Sequence, residues 1–135
     1  MSTIIQVEVT QVGPTTSEGR VRGHKVLVDR PTAKGGADQG AMGGELLLVA
    51  LGGCFMSTLL AAIREREAAV ADVHMTIDGT LASAPSRFTA VQMHITAHYE
   101  DAELMQKLVT IAERGCIVAN TLKDAVELSI SVGRP

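Results

Sequence analysis

The sequence predicts one α+β domain over residues 1–135, with antiparallel sheets packed around a long buried central helix. Three observations predict it. Segments at Thr3–Val12, Val73–Leu81, Val91–Tyr99 and Val126–Val132 alternate apolar and polar residues, the period of a half-buried strand. Leu46 to Ile63 is apolar almost all round, as in a helix buried on most faces. Asp101 to Arg114 carries an apolar stripe at helical spacing, so strands and helices come in separate runs.

In chain order, the first strand sets Ile5, Val7, Val9 and Gln11 on one side and Ile4, Gln6, Glu8 and Thr10 on the other. Gly13 to Gly19 reads as a turn, and Arg20–Arg22 with His24–Asp29 as a second strand region bent near Gly23. Pro31 to Gly44 is a glycine-rich loop. It lacks both the Walker ending and the dinucleotide spacing, which excludes a phosphate-binding motif and leaves a connection that must pass close to other backbone. The long helix runs from Glu45 to about Ala69, and its charged end at Arg64–Glu67 reaches water. Gly52 and Gly53 each cost about 1 kcal/mol against Ala. That cost suits a turn against which a second helix packs, immediately before Cys54.

A long hairpin follows, with Val73, Met75, Ile77 and Leu81 inward on one strand and Val91, Met93, Ile95, Ala97 and Tyr99 inward on the other. Asp101 is placed as the N-cap of the next helix, Leu104, Leu108, Ile111 and Ala112 form its stripe, and Gly115 stops it. Cys116 to Leu122 makes a short further helix, and Val126 to Val132 the final strand.

Composition narrows the function. With no Trp, one Tyr and two Phe, the chain offers little surface for stacking bases, and its net charge of −3 argues against a phosphate-backbone binder, so no nucleic-acid partner is expected. Gly52, Gly53, Ser57 and Thr58 interrupt the apolar stretch, which reads as a buried helix and not a membrane span. The start of the chain lacks the basic and apolar regions of a secretory signal. Two cysteines in such a chain point to a reducing, cytoplasmic setting, where a disulfide is transient and chemical.

The chemistry lies in those cysteines, 62 residues apart. One reading makes both small core residues, since free Cys is among the most buried types. The other makes them a redox site: a thiolate attacks a peroxide and becomes a sulfenic acid, and a second thiol condenses with it. Cys116, following Gly115, sits near a helix N-terminus that lowers a thiol pKa. Cys54, inside its helix, needs an outside cation, for which Arg20, Arg22, Arg30 and Arg114 are the sources. Glu45 opens the Cys54 helix, where a carboxylate suits the dipole; its functional reading is to pair with an activating arginine. Asp29 reads as a strand-end turn residue. His94 and His98 lie about 13 Å apart on a strand, too far to share one ion. No metal site and no cofactor are expected.

The segment Gly35-Gly-Ala-Asp-Gln-Gly40, with Glu45-Leu-Leu-Leu-Val-Ala-Leu-Gly-Gly-Cys54 and Cys116-Ile-Val-Ala-Asn-Thr-Leu122, resembles the OsmC/Ohr family, in a branch other than the organic hydroperoxide resistance proteins. The resemblance implies an intertwined homodimer with sites at the subunit interface. It implies a peroxidatic Cys54, a resolving Cys116 and a lipoyl-type dithiol reductant. It also marks departures. Gly44 stands where characterised branches carry a glutamate, with Glu45 one residue on and turned by about 100°. Ser17 stands near their arginine, for which Arg20 is the substitute, and Ile117 replaces a proline after the second cysteine. The expected function is a peroxidase for organic hydroperoxides with Cys54, Cys116, Glu45 and Arg20 as site residues. The alternative is a non-catalytic dimer that binds a small apolar ligand or senses oxidation.

Overall fold

The computed structural model describes residues 2–135. The chain divides into two compact units, Met1–Leu47 and Leu48–Pro135.

In the first unit, β1 (Glu8–Gln11), β2 (Ser17–Val21) and β3 (His24–Val28) form an antiparallel sheet in that order. The segment expected as one bent strand is therefore a hairpin. Arg22 and Gly23 both take positive φ, 51° and 86°, the pairing a tight two-residue turn requires. The first strand is shorter than its alternation suggests, and every residue of β1 is exposed.

Asp29 organises the loop after β3. Its Oδ1 accepts the N–H of Arg30 at 2.7 Å and of Ala37 at 3.4 Å. Its Oδ2 accepts the Thr16 hydroxyl at 2.8 Å and the Gln39 N–H at 3.2 Å. Burial works to raise this carboxyl; hydrogen bonds from Thr16, Arg30, Gln39 and Thr15 overcome it and hold the group far below the usual carboxylate range. Asp29 is thus a buried anchor, more than the turn residue expected from sequence. The loop glycines do lie against backbone: a Cβ at Gly36 would strike the Arg30 carbonyl, and one at Gly40 the Leu27 carbonyl.

The long helix α1 (Gly43–Glu65) starts two residues earlier and ends four residues sooner than its sequence limits. Glu45 Oε1 accepts the Met42 N–H at 2.8 Å, the carboxylate half of a capping box. The helix is long and apolar enough to cross a membrane, with mean hydropathy 2.3, and only 28% of that stretch is buried inside the chain. The expected burial on most faces is therefore corrected to burial on one face, at Leu51, Phe55, Leu59 and Ala62.

In the second unit, β4 (Ala71–Ala82) and β5 (Arg87–His98) pair antiparallel, and β6 (Glu127–Gly133) pairs with β5 in parallel. That corrects the all-antiparallel expectation. Between β5 and β6 the chain runs through α2 (Ala102–Gly115) and α3 (Ile117–Leu122), and a helical crossover returns a strand in the same direction. The core joins Leu51, Phe55 and Leu59 of α1, Val91, Met93 and Ile95 of β5, and Met105, Leu108 and Val109 of α2, all at 2% exposure or less. Each large side chain so buried contributes about 1.5–3 kcal/mol. Asp101 caps α2 through Leu104 N–H at 3.0 Å. The buried stripe of α2 is centred one residue on from expectation, with Leu104 and Ile111 half-buried at its edges. Leu81, expected inward, is 66% exposed. Thr80 pairs with Ala90 but Leu81 with Phe88, so Thr89 is an extra residue and the register slips there.

Candidate active site

Two packing contacts deliver the cysteines. Gly52 is buried, and a Cβ there would strike Ile77 Cδ1 and approach Met75 Sδ at 3.3 Å, so it is the side chains of β4, not a second helix, that press on this turn of α1. Gly53 faces open space. The helix expected at that turn arrives one turn later: a Cβ at Gly115, the last residue of α2, would lie 3.0 Å from Thr58 Cγ2. Thr58 itself returns its hydroxyl to the Cys54 carbonyl at 3.1 Å. The end of α2 is therefore seated beside the Cys54 turn, and the next residue is Cys116.

Cys116 ends α2 and caps α3. Its Sγ accepts the Ala119 N–H at 3.4 Å, and its carbonyl accepts the Asn120 N–H at 3.0 Å. The Asn120 side chain bonds to the Arg114 carbonyl at 3.0 Å and ties the two helices together. Cys116 is fully buried, Cys54 is half-buried, and both are free thiols.

The two thiols differ in kind. At Cys54, burial pushes the thiol up, but the backbone N–H of Val118, the Cys116 thiol and the backbone N–H of Ile117 together outweigh it and hold the thiol below its ordinary value. These donors come from the first turn of α3, where backbone N–H groups have no partner within the helix. At Cys116, burial is again the largest influence, and with the neighbouring Cys54 it holds the thiol above its ordinary value despite the Ala119 and Val118 N–H groups. The expected helix-end N–H groups thus act on both thiols, lowering each, but only at Cys54 do they outweigh burial. One thiol is poised to ionise and the other to keep its proton.

Glu45 and Arg20 lie in the first unit and the cysteines in the second. The Glu45 carboxylate is engaged with the Met42 N–H, and the Arg20 guanidinium with Glu18 at 2.6 Å. Ser17 and Gly44, the small residues at the two departures noted above, line one groove of the first unit. Sequence reasoning passed over Val118 and Ile117 because a backbone N–H has no residue signature. Among the described residues no group of three or more His, Cys, Asp or Glu side chains can hold a metal ion.

The family model for OsmC-like protein matches residues 35–131. No curated protein matches the chain significantly. Among solved structures, a hypothetical protein from Aquifex aeolicus VF5 superposes with a TM-score of 0.85 at 18% identity, over 99% of this chain and 98% of that one. An organic hydroperoxide resistance protein from Elizabethkingia anophelis superposes with a TM-score of 0.77 at 20% identity, over 100% of both chains. A third, from Legionella pneumophila, is described as an organic hydroperoxide resistance protein OsmC and predicted redox protein; its TM-score is 0.74 at 20% identity over 97% of each chain.

Proposed function

The chain belongs to the OsmC-like protein family, and from that premise we propose that it is a thiol-dependent peroxidase for organic hydroperoxides, serving oxidative stress defence in the cytoplasm. The observation that supports the reading is that Gly115, next to Cys116, is seated against Thr58, one turn from Cys54, with the Cys54 thiol held low and the Cys116 thiol held high. The Cys54 thiolate attacks the distal peroxide oxygen. The O–O bond breaks, an S–O bond forms, and the alkoxide leaves as an alcohol after taking a proton. The Cys116 sulfur then attacks the sulfenic sulfur, forming a disulfide, and the hydroxyl leaves as water with the Cys116 proton. A dithiol of the lipoyl type returns two electrons and is itself oxidised to a disulfide. No cofactor is needed. The apolar side chains around this turn, among them Met75 and Ile77, suit an alkyl peroxide better than hydrogen peroxide.

The working unit in this reading is a homodimer. Leu47, Val49 and Leu60 of α1 are 40%, 63% and 49% exposed, and such apolar surface on a long helix calls for a partner. In the first unit Val7 and Val9 are 59% and 67% exposed. Light scattering is expected to return twice the 14.2 kDa chain mass.

The test is consumption of cumene hydroperoxide with dihydrolipoamide as reductant. Cys54→Ser is expected to abolish turnover. Cys116→Ser is expected to allow one turnover and leave a trappable sulfenic acid. No consumption by the intact protein, with both thiols still open to alkylation after peroxide, overturns the reading. That outcome favours the second one, a non-catalytic dimer that binds a small apolar ligand or senses oxidation. The engagement of Arg20 with Glu18 and of Glu45 with Met42 is what favours it.

A further inference from the structure

We infer that the first unit carries a binding site for an oxyanion headgroup, carboxylate or phosphate, in the groove bounded by Ser17, Arg30, Lys34, Met42 and Gly44. The groove has a volume of about 490 Å³, within the usual range of small-molecule sites, roughly 300–1,000 Å³. It is open because the residues at two of its walls, Ser17 and Gly44, are small.

Its charge is what selects the ligand. Arg30 and Lys34 both line it, and among the described residues neither is paired with a carboxylate. The lining carboxylate is Asp29, and it cannot neutralise them both. Each of its oxygens is already committed: Oδ1 to the Arg30 and Ala37 N–H groups, Oδ2 to the Thr16 hydroxyl and the Gln39 N–H. Two cations against one carboxylate leave the groove net positive. A guanidinium offers a planar fork that matches two oxygens of a carboxylate or phosphate, and the ammonium adds a point charge. The Ser17 hydroxyl lies in the same wall. The steps written above for Cys54 and Cys116 use none of these side chains, so binding in the groove and peroxide consumption are separate readouts.

The experiment is a titration of the ¹⁵N-labelled full chain, at fixed ionic strength, with sodium hexanoate, with inorganic phosphate and with neutral hexanol. The amide signals of Ser17, Arg30, Lys34 and Gly44 are expected to move saturably with at least one anion and not with hexanol. Saturation by hexanoate alone identifies a carboxylate site, by phosphate alone a phosphate site, and by both a shared oxyanion site. Arg30→Gln and Lys34→Gln are each expected to weaken binding about tenfold, the scale of a charge-assisted hydrogen bond. Both side chains are exposed, and the signals of the second unit report whether each variant is folded. The proposal is overturned if neither anion saturates, if hexanol moves the same signals equally, or if both folded variants bind as the parent does.

Discussion

In the sheet of β4, β5 and β6, alternate residues of the middle strand, Val91, Met93, Ile95 and Ala97, are shut off from water within a core shared with α1 and α2. In the sheet of β1, β2 and β3, the outer strand is exposed along its whole length, and the buried side chains beside it are polar, Thr16 and Asp29. The two sheets have the same number of strands, and the Thr3–Val12 segment alternates as Val91–Tyr99 does. Alternation therefore describes a strand's capacity to bury one face; a covering helix is what realises it. The second sheet is held by apolar packing, while the first is tied to its loop by donors converging on one carboxylate.

The largest expected effect tests that contrast directly. Phe55→Ala is expected to cost about 3–5 kcal/mol in urea unfolding, through the cavity it leaves in the core of the second unit. Val9→Ala, on the exposed β1 strand, is expected to change stability by no more than about 0.5 kcal/mol at concentrations where the chain is monomeric. A Val9→Ala cost that grows with protein concentration means a second copy covers the strand, and the contrast between the sheets is then one of partner and not of burial.

A finer contrast lies within α1. Gly52→Ala forces a methyl against Ile77 and Met75, and overpacking of this kind costs about 1–3 kcal/mol. Gly53→Ala meets nothing and is expected to gain about 1 kcal/mol from helix propensity. Thermal unfolding should therefore rank Gly53→Ala above the parent and Gly52→Ala below it. Equal losses at both positions would place another molecule against the Gly53 face.

These adjacent glycines also show how far a sequence can be read. Their cost was visible, but which of them faces a neighbour depends on the phase of α1 against β4. The strands of the second unit were legible because Val91, Met93, Ile95 and Ala97 keep one phase for the length of the strand. Leu81 was misplaced because a bulge at Thr89 leaves no trace in the alternation. The direction of β6 was missed because a period of two has no polarity; the helices between it and β5 were the available signal. Cys116 at the head of a short helix was legible from Gly115 before it. The seating of Gly115 against Thr58 was not, since the two lie 57 residues apart in sequence. The Asp29 anchor was hidden for the same reason: its donors come from Thr16, Arg30, Ala37 and Gln39.

That anchor supplies the smallest effect and the one with a pH signature. The Asp29 carboxyl is held below its unfolded value of 3.8 by the hydrogen bonds that overcome its burial. A depressed folded pKa means the unfolded chain binds the proton first, so stability rises with pH through this window. The contribution is fully present above the unfolded value and is lost as pH falls through the folded one. Asp29→Asn removes the charge, turns an amide N–H₂ toward backbone donors and deletes this slope. Urea midpoints measured from pH 7 down to pH 3 should fall more steeply in the parent than in Asp29→Asn. If Asp29→Asn and the parent lose stability in parallel, the four donors around Asp29 are held in place by the loop itself, and the first sheet owes its loop to backbone bonds such as Asp29 N–H to Ala41 O at 3.1 Å.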